Sequence, residues 1–238
     1  MCGRYTNRFT WKELHERLDL IGTPLNLRPR YNVAPSQNVA VVRAAEPRSQ
    51  SGAGNGRTLA MLRWGLIPAW AKDPTIGHKL INARSETAAE KPSFRSAFRH
   101  RRCLIPADGF YEWQRRGGTR QPWLFGLRDG APMIFAGLWE RWAVPEGSAL
   151  TGSLAERSPG DVVESCTILT TAANQTVAPV HGRMPVILAP DAWDAWLAGE
   201  AVPLGPYPPD AMTAHPVSTH VNRPANDDPR CVEPVSLP

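Results

Sequence analysis

The second residue of the chain, Cys2, follows the initiator methionine in the stretch MCGRY. Methionine aminopeptidases remove Met1 when the next residue is small, which leaves a cysteine whose α-amine lies beside its own thiol. The ordinary pKa values of these groups, about 7.7–8.0 and about 8.5, predict that both are partly deprotonated near neutral pH. Such a 1,2-aminothiol condenses with an aldehyde to an imine, and the thiol then closes a thiazolidine ring. It also suits attack on an amide, with the amine as base. The alternative is an incidental cysteine.

Two later stretches supply polar groups that such a reaction needs. In INARSE (81–86), the Asn82 amide can donate and accept hydrogen bonds, and the Arg84 guanidinium can hold a phosphate through two bonds. The alternative for this stretch is a capped helix start. In FYEW (110–113), Glu112 stands among aromatic residues, which predicts a raised pKa and proton transfer near neutral pH. The alternative is an exposed glutamate on a strand.

A histidine and two tryptophans complete the candidates. His181, in HGRMPV, precedes a predicted strand and titrates near neutral pH, although a structural histidine fits the same pattern. The run RWGLIPAW (63–70) contains Trp64 and Trp70, whose rings suit stacking on nucleic-acid bases or burial in the core. Because each residue is also explained as structural, their positions in the fold decide between the two interpretations.

The elements predicted around these residues are mainly strands. Thr10, with Glu13 three residues later, forms a capping-box pattern that predicts a helix over residues 10–20. Alternating apolar and polar residues predict six to nine strands and few long helices, and polar stretches predict loops at 45–57 and 145–161. No linker separates halves of different composition. We therefore expect one α+β domain over residues 1–238, built on a curved, barrel-like, mostly antiparallel β-sheet core with short flanking helices.

The composition is that of a globular intracellular protein. The 238 residues are 42% hydrophobic and carry a net charge of +5, which permits nucleic-acid binding without establishing it. No run of about 18 apolar residues is present and the N-terminus lacks an apolar signal stretch, so neither a membrane span nor secretion is expected. The four cysteines form no CxxC or Cys/His cluster, which argues against structural zinc and favours a reduced cytosolic compartment. Cys103 and Cys166 lie beside apolar runs and are expected in the core.

Seven stretches, in order along the chain, resemble the SOS-response-associated peptidase family, whose members process abasic sites in DNA. They are MCGRY, YNVAPSQ, WGLIPAW, INARSET, CLIPADGFYEW, ILTTAAN and HGRMPV. The resemblance extends to the tail stretch VSTHVNRPANDDPRCVEPV, so it covers nearly the whole chain. Each motif is weak alone, but the ordered set is highly specific. The loops at 45–57 and 145–161 then correspond to variable insertions.

The resemblance implies a reaction with an abasic site in single-stranded DNA or at a single-strand junction. After removal of Met1, the Cys2 amine attacks the aldehyde of the ring-opened deoxyribose and the thiol closes a thiazolidine, which gives a covalent DNA–protein crosslink. In this reaction Glu112 is the acid and base for imine formation and reversal. His181 protonates the sugar oxygen during ring opening, and Asn82 orients the Cys2 amine or the sugar.

The resemblance also implies how DNA is bound. Arg4 and Arg84 are predicted phosphate ligands, and Pro35 and Trp64 are predicted to stack near the lesion. No metal or organic cofactor and no membrane partner is expected. We expect a monomer that works in the cytoplasm and is associated with the nucleoid when it is bound to DNA.

Two other functions stay open. In the first, which the family name records, the protein is a thiol peptidase whose Cys2 attacks the amide of its own Met1 or of other proteins. An Arg-lined groove favours DNA as substrate, whereas a groove for an extended chain favours a peptide. The second is a non-enzymatic binder of single-stranded DNA. A lyase side reaction, in which the strand is cut from the imine, follows from the same chemistry as the crosslink.

Overall fold

The computed structural model describes residues 2–45, 56–148 and 150–237, and within these ranges the chain forms twelve strands and three short α-helices. The strands are β1 (Tyr5–Asn7), β2 (Arg30–Val33), β3 (Asn38–Ala44), β4 (Arg57–Trp64), β5 (Asn82–Arg84), β6 (Arg102–Ala107), β7 (Gly109–Arg116), β8 (Thr119–Leu127), β9 (Met133–Ala143), β10 (Val162–Ala172), β11 (Arg183–Pro185) and β12 (Met212–Pro216). The helices are α1 (Trp11–Leu18), α2 (Arg95–His100) and α3 (Trp193–Leu197).

Five of the strands close into a barrel. The order β10–β4–β3–β6–β9 returns to β10, because β9 pairs with β10 along most of the length of β10. The second half of β10 also carries the short strands β5 and β11. In the described ranges β10 runs parallel to β4 and β5, and the other pairs in this sheet are antiparallel. The predicted α+β class with a barrel-like, mostly antiparallel core is confirmed.

The second sheet is antiparallel and has the order β12–β8–β7–β1–β2. The chain passes into it from the barrel at a corner formed by Asp108, the one residue between β6 and β7. β7 and β8 form a hairpin whose turn residues, Gly117 and Gly118, have φ of 51° and 83°. Two positive φ values are typical of the type I′ hairpin turn, which glycine adopts without a steric penalty. The strand β1 pairs with both β2 and β7, so the start of the chain lies against β7.

The alternation of side chains along the barrel strands divides the apolar residues between two cores. One core lies between the barrel strands and the second sheet and includes Cys2, Tyr5 and Trp64. The other lies under the helices, where Leu14 and Leu18 of α1 are fully buried. Each fully buried side chain of this size contributes about 1.5–3 kcal/mol to stability, so both cores stabilise the barrel.

The prediction of a helix with a capping box is confirmed. Thr10 Oγ1 accepts from the Glu13 N–H at 3.3 Å, and Glu13 Oε2 accepts from the Thr10 N–H at 2.7 Å. The helix ends at Leu18 because Asp19 takes up the left-handed conformation, with φ of 48°. Cys103 and Cys166 are fully buried, as predicted.

The prediction of six to nine strands is too low for the described part of the chain. β1 and β5, which were not predicted, have only three residues each, which is too short to produce an alternating pattern. The strand predicted to follow His181 is present as β11. The described part of the predicted loop 145–161 contains one 3₁₀ turn, Gly152–Leu154, and no strand. Residues 46–55 of the predicted loop 45–57 lie outside the described residues. None of the helices in the described ranges is long and apolar enough to cross a membrane.

Candidate active site

Cys2 and Glu112 are brought together by the pairing of β1 with β7. The Tyr111 N–H donates to the Arg4 carbonyl at 3.0 Å, which continues the antiparallel ladder from β1 towards the N-terminus. The chain at Cys2 therefore lies beside Glu112, and the Glu112 carboxylate acts electrostatically on the Cys2 thiol. Because β7 lies in the middle of the second sheet, this position is held by hydrogen bonds on both sides.

Asn82 and His181 come from strands that flank β10. Asn82 begins β5, where it lies opposite Ile168, and His181 lies in the turn two residues before β11. Two contacts join these residues to the second sheet: Asn82 bonds to the chain at Cys2, and His181 faces Glu112. The four residues that the sequence predicts to be catalytic therefore converge on the seam between the barrel and the second sheet.

The Asn82 side chain holds the backbone of Cys2. Asn82 Nδ2 donates to the Cys2 carbonyl at 2.9 Å. The other polar atom of the amide, Oδ1, is buried and has no hydrogen-bond partner in the described part of the chain. A buried acceptor without a donor costs about 1–3 kcal/mol, so this oxygen is available to a donor that is supplied in the reacting state. A free amine on Cys2 is a donor of the required kind.

The thiol of Cys2 is fully buried in this chain, which still carries Met1. Burial and the negative charge of Glu112 raise the pKa of the thiol well above its usual range, and Sγ lies 3.9 Å from the Arg4 carbonyl. The thiol is therefore neutral near pH 7 in the Met1-bearing chain. The expectation of a partly ionised thiol concerns the mature N-terminus, where the nitrogen of Cys2 is an amine and not an amide.

Buried Glu112 and half-buried His181 form an acid–base pair. Glu112 Oε1 and His181 Nδ1 are 3.7 Å apart, and Glu112 is 3% exposed. Burial raises the pKa of Glu112 and the neighbouring His181 opposes that rise, so the net direction is upward. The Arg183 N–H donates to His181 Nδ1 at 3.0 Å when that nitrogen lacks a proton, and the Arg183 carbonyl at 3.1 Å can accept when it carries one. His181 Nδ1 therefore has a hydrogen-bond partner whether or not it carries a proton.

Trp64 has a position that differs from its predicted stacking role. Its side chain is fully buried, with the ring packed edge-on against Tyr5 at 5.2 Å. Its indole N–H donates to the Ile81 carbonyl at 2.9 Å, directly before Asn82. A ring enclosed in this way has no free face for a base. Trp64 therefore fixes the start of β5, and the prediction that it stacks on DNA is corrected for this conformation.

The segment after Trp64 places a second tryptophan at the surface. Gly65 and Gly77 approach so closely that a Cβ on Gly65 would lie 2.7 Å from the Gly77 carbonyl oxygen. This approach holds the segment against the 3₁₀ turn Pro74–Lys79, which leads into β5. Trp70 at the end of the segment is 59% exposed, one of few large apolar side chains in the described ranges that reach the solvent. The sequence motif contains this ring as well, but the residue predicted to stack near the lesion was Trp64 and not Trp70.

The other predicted DNA contacts have different surroundings. Arg84 is exposed at the end of β5, two residues beyond Asn82. Pro35 is half-buried in the turn between β2 and β3, and the next residue, Ser36, donates its N–H to the Trp64 carbonyl at 2.8 Å. Arg84 is thus exposed close to Asn82 and can reach a ligand. Pro35, in contrast, belongs to a turn that is held against the end of β4.

Arg4 differs most from its predicted role, because its guanidinium bonds to the protein itself. Nη1 donates to Asn32 Oδ1 at 2.8 Å and to the Val221 carbonyl at 2.9 Å, and Nη2 donates to the Asn222 carbonyl at 3.3 Å. Asn32 and Asp227 hold the same stretch of chain. We call this group, formed by Arg4, Asn32 and residues 221–227, the C-terminal anchor.

One arginine beside the site was not singled out from the sequence. Arg183 donates to Glu86 Oε1 at 2.5 Å and Oε2 at 2.9 Å, and to the Thr170 carbonyl at 2.5 Å. These hydrogen bonds lower the pKa of Glu86 to about 2. The bidentate pair joins β11 to the turn after β5. It therefore holds together the strand that begins with Asn82 and the strand that follows the turn of His181. Its position within HGRMP was the available signal.

One group of side chains in the described ranges brings potential metal ligands together. Atoms of His220, Asp228 and Cys231 lie within 4.8 Å of one another. Asp228 accepts from Arg230 and lies 3.0 Å from His220 Nε2, and the Cys231 thiol donates to the Asn226 carbonyl at 3.3 Å. Ion pairs and hydrogen bonds thus already occupy these ligand atoms, which belong to the tail segment.

Comparison with known proteins agrees with this architecture. Residues 1–224 match the model of a family described as SOS response associated peptidase (SRAP). The chain is 40% identical over 243 residues to the abasic site processing protein YoqW of Bacillus subtilis, covering 98% of this chain and 99% of that protein. It is 33% identical to the abasic site processing protein HMCES of Gallus gallus, covering 88% and 67%. A crystal structure of a Bacteroides thetaiotaomicron protein has the same fold, with a TM-score of 0.82 at 22% identity over 99% of this chain and all of that one.

Proposed function

The chain belongs to the SOS response associated peptidase family, and from that premise we propose that it processes abasic sites in DNA by forming a covalent crosslink through Cys2. The names of its relatives YoqW and HMCES support abasic-site processing. The observation that carries the proposed crosslink is the convergence of Asn82, Glu112 and His181 on the chain at Cys2. Three polar groups from separate strands, placed at residue 2, match an N-terminal nucleophile.

The proposed reaction has three covalent steps. Removal of Met1 first gives Cys2 a free amine, which adds to the C1′ aldehyde of the ring-opened deoxyribose. The resulting carbinolamine loses one water and becomes an imine. The Cys2 sulfur then bonds to the imine carbon while the thiol proton passes to the nitrogen, which closes the thiazolidine. The balance is one aldehyde and one aminothiol giving one thiazolidine and one water, without an oxidant or reductant.

The surroundings of Cys2 suit these steps. Burial raises the pKa of Glu112, which favours its protonated form, and we assign to that form the delivery of a proton to the departing water of the carbinolamine. As a carboxylate it can take a proton from the Cys2 amine or thiol. His181, 3.7 Å from Glu112, can exchange that proton and protonate the ring oxygen of the sugar. Asn82 holds the Cys2 carbonyl and offers its unpartnered Oδ1 to the amine.

The DNA strand is proposed to lie along the exposed edge beside the site. Arg84 at the end of β5 presents a guanidinium for a backbone phosphate, and the 59% exposed Trp70 presents a ring for an unpaired base. An abasic site is easily displaced because it has no base to unstack, and we propose that the neighbouring base stacks on Trp70. We expect the protein to act as a monomer on single-stranded DNA in the cytoplasm.

The test is a denaturing gel of mature protein incubated with single-stranded DNA that carries one abasic site. Wild type is expected to give a heat-stable adduct of reduced mobility. Cys2→Ala keeps an amine but has no thiol, so it is expected to give at most an imine that heating reverses. Mass spectrometry of both preparations establishes that Met1 has been removed. A heat-stable adduct of equal yield with Cys2→Ala would exclude thiazolidine chemistry and leave the thiol peptidase as the next candidate.

A further inference from the structure

Arg4 lies two residues from Cys2, yet the contacts of its side chain lead away from the site. The half-buried guanidinium donates to three acceptors: Asn32 Oδ1 at 2.8 Å, the Val221 carbonyl at 2.9 Å and the Asn222 carbonyl at 3.3 Å. Two of the acceptors belong to a tail segment more than two hundred residues away in sequence. Three of the five N–H donors of the guanidinium are used in this way, which leaves two for any other acceptor.

The acceptor oxygen of Asn32 is held in a fixed orientation. Asn32 is fully buried, and its Nδ2 donates to the carbonyls of Val221, Arg223 and Asn226 at 2.7–3.1 Å. The Asn32 N–H in turn donates to Asp227 Oδ1 at 2.9 Å. Since both ends of the amide are engaged, Oδ1 can point only at Arg4. The C-terminal anchor therefore presents a rigid set of acceptors to the guanidinium.

The same anchor also contacts the strand that carries Glu112. Trp113, the next residue along β7, donates its indole N–H to Asn222 Oδ1 at 2.7 Å. The Arg4 guanidinium carbon lies 5.9 Å from the centre of the Trp113 ring. One segment of the tail thus holds the chain two residues after Cys2 and one residue after Glu112. Any shift of the anchor changes the distance between these two groups.

We propose that Arg4 is a positioning residue, which holds Cys2 against Glu112 through the C-terminal anchor, and is not a ligand of DNA phosphate. The inference rests on the proposed crosslinking function. A misplacement of about 1 Å of a reacting group can cost about a hundredfold in rate, because the bound geometry must be close to that of attack. Loss of the three hydrogen bonds of Arg4 therefore affects the covalent steps and leaves the binding of DNA unchanged.

The two roles of Arg4 differ in a measurable way. A phosphate ligand contributes to the affinity for DNA and to its dependence on salt, with a slope of about 0.7 for each phosphate of a single strand. A positioning residue contributes to the rate of crosslinking at saturating DNA. The affinity is measured with single-stranded DNA carrying a tetrahydrofuran abasic analogue, which has no aldehyde and cannot crosslink. The rate is measured in a single turnover with DNA carrying a true abasic site.

Arg4→Gln is the main variant, and Arg8→Gln is its control because Arg8 is an exposed arginine four residues further on. Arg4→Gln is expected to lower the saturating crosslinking rate at least tenfold, with the affinity and the salt slope for the analogue unchanged. Arg8→Gln is expected to crosslink at the wild-type rate. Asn222→Ala, a second variant at an exposed position, retains the Arg4 charge and removes the acceptor of the Trp113 indole. It is expected to lower the rate in the same direction by a smaller factor.

Thermal unfolding of each variant establishes that it is folded at the assay temperature. A weaker affinity with a lower salt slope and an unchanged saturating rate for Arg4→Gln would show a phosphate ligand and overturn the inference. Wild-type rates for both Asn222→Ala and Arg4→Gln would overturn it as well. Should Arg4→Gln fail to fold, Asn222→Ala alone decides, since its DNA-facing charges are those of wild type. Failure of the proposed function gives a different result, because wild type itself then forms no adduct.

Discussion

Two regions of the molecule contain polar side chains that are at least partly buried: the seam at Cys2 and the C-terminal anchor. They differ in how many of their polar atoms have hydrogen-bond partners. In the anchor, Asn32 and Asp227 use both ends of their side chains in hydrogen bonds within the protein. At the seam, Asn82 Oδ1 is buried without a partner in the described ranges, and burial raises the pKa of Glu112. The anchor is thus satisfied in the resting protein, whereas the seam keeps a buried acceptor unpaired, and under the proposed function the partner of that acceptor is the Cys2 amine.

This difference indicates how the molecule divides stability and chemistry. A saturated buried network is rigid, and its removal leaves donors and acceptors that water cannot reach. A carboxylic acid that is buried away from water costs free energy once it ionises, but it gains the ability to exchange a proton at a higher pH than an exposed one. Substitutions in the anchor should therefore act on folding, and substitutions at the seam should act on rate and even improve stability.

The largest expected effect is that of Glu112→Gln on the rate. The amide cannot exchange protons, so crosslink formation and release are expected to slow by about 10²–10⁴-fold, measured as single-turnover rates at saturating abasic DNA. Equal rates for Glu112→Gln and wild type would remove the acid–base role and with it the distinction between the two regions.

The same substitution has a stability effect of the opposite sign. The pKa of Glu112 is raised from an ordinary value of 4.5, so the folded state holds this proton more tightly than the unfolded chain. Its contribution to stability is fully present below pH 4.5 and is lost as the pH rises through the raised pKa. Because the amide side chain of the Glu112→Gln variant is neutral at every pH, its melting temperature relative to wild type is expected to increase between about pH 4 and about pH 8. A pH-independent difference would contradict this.

The next effect is that of Asn32→Ala on folding. The variant removes the acceptor of Arg4 and the donor to three carbonyls, so the free energy of unfolding is expected to fall by about 3 kcal/mol in urea. Asn38→Ala at an exposed position at the start of β3 is the control and is expected to change it by less than about 0.5 kcal/mol. A loss of less than about 1 kcal/mol for Asn32→Ala would show that the anchor does not stabilise the fold.

The smallest effect is expected for the exposed ring of Trp70. Trp70→Ala should weaken binding to single-stranded DNA with a tetrahydrofuran site about tenfold, because stacking on an aromatic ring contributes about 1–3 kcal/mol per base. Its melting temperature should stay near that of wild type, since the ring is 59% exposed. Met61→Ala, at another large apolar residue that is 46% exposed, is the control and should bind normally. Equal affinities of Trp70→Ala and Met61→Ala would remove Trp70 from the DNA contact.

Local patterns were sufficient for several features of this protein. The capping box of α1 depends on two residues three apart, and the environment of Glu112 follows from the residues beside it, so both were predicted correctly. The barrel-like class followed from many short alternating segments. The three-residue strands β1 and β5 were missed because a strand of that length is defined by its partners and has no pattern of its own.

The sequence alone thus determined the set of reactive groups and the class of fold, because residue types and their near neighbours carry that information. Only the tertiary structure decided which tryptophan is buried and which is exposed, since Trp64 and Trp70 lie six residues apart in one motif. It also turned Arg4 inward, because the acceptors of Arg4 lie in a tail that reaches it only after the second sheet has formed. Contacts between residues that are distant in sequence decide whether a side chain is buried or exposed, and no local sequence pattern contains that information.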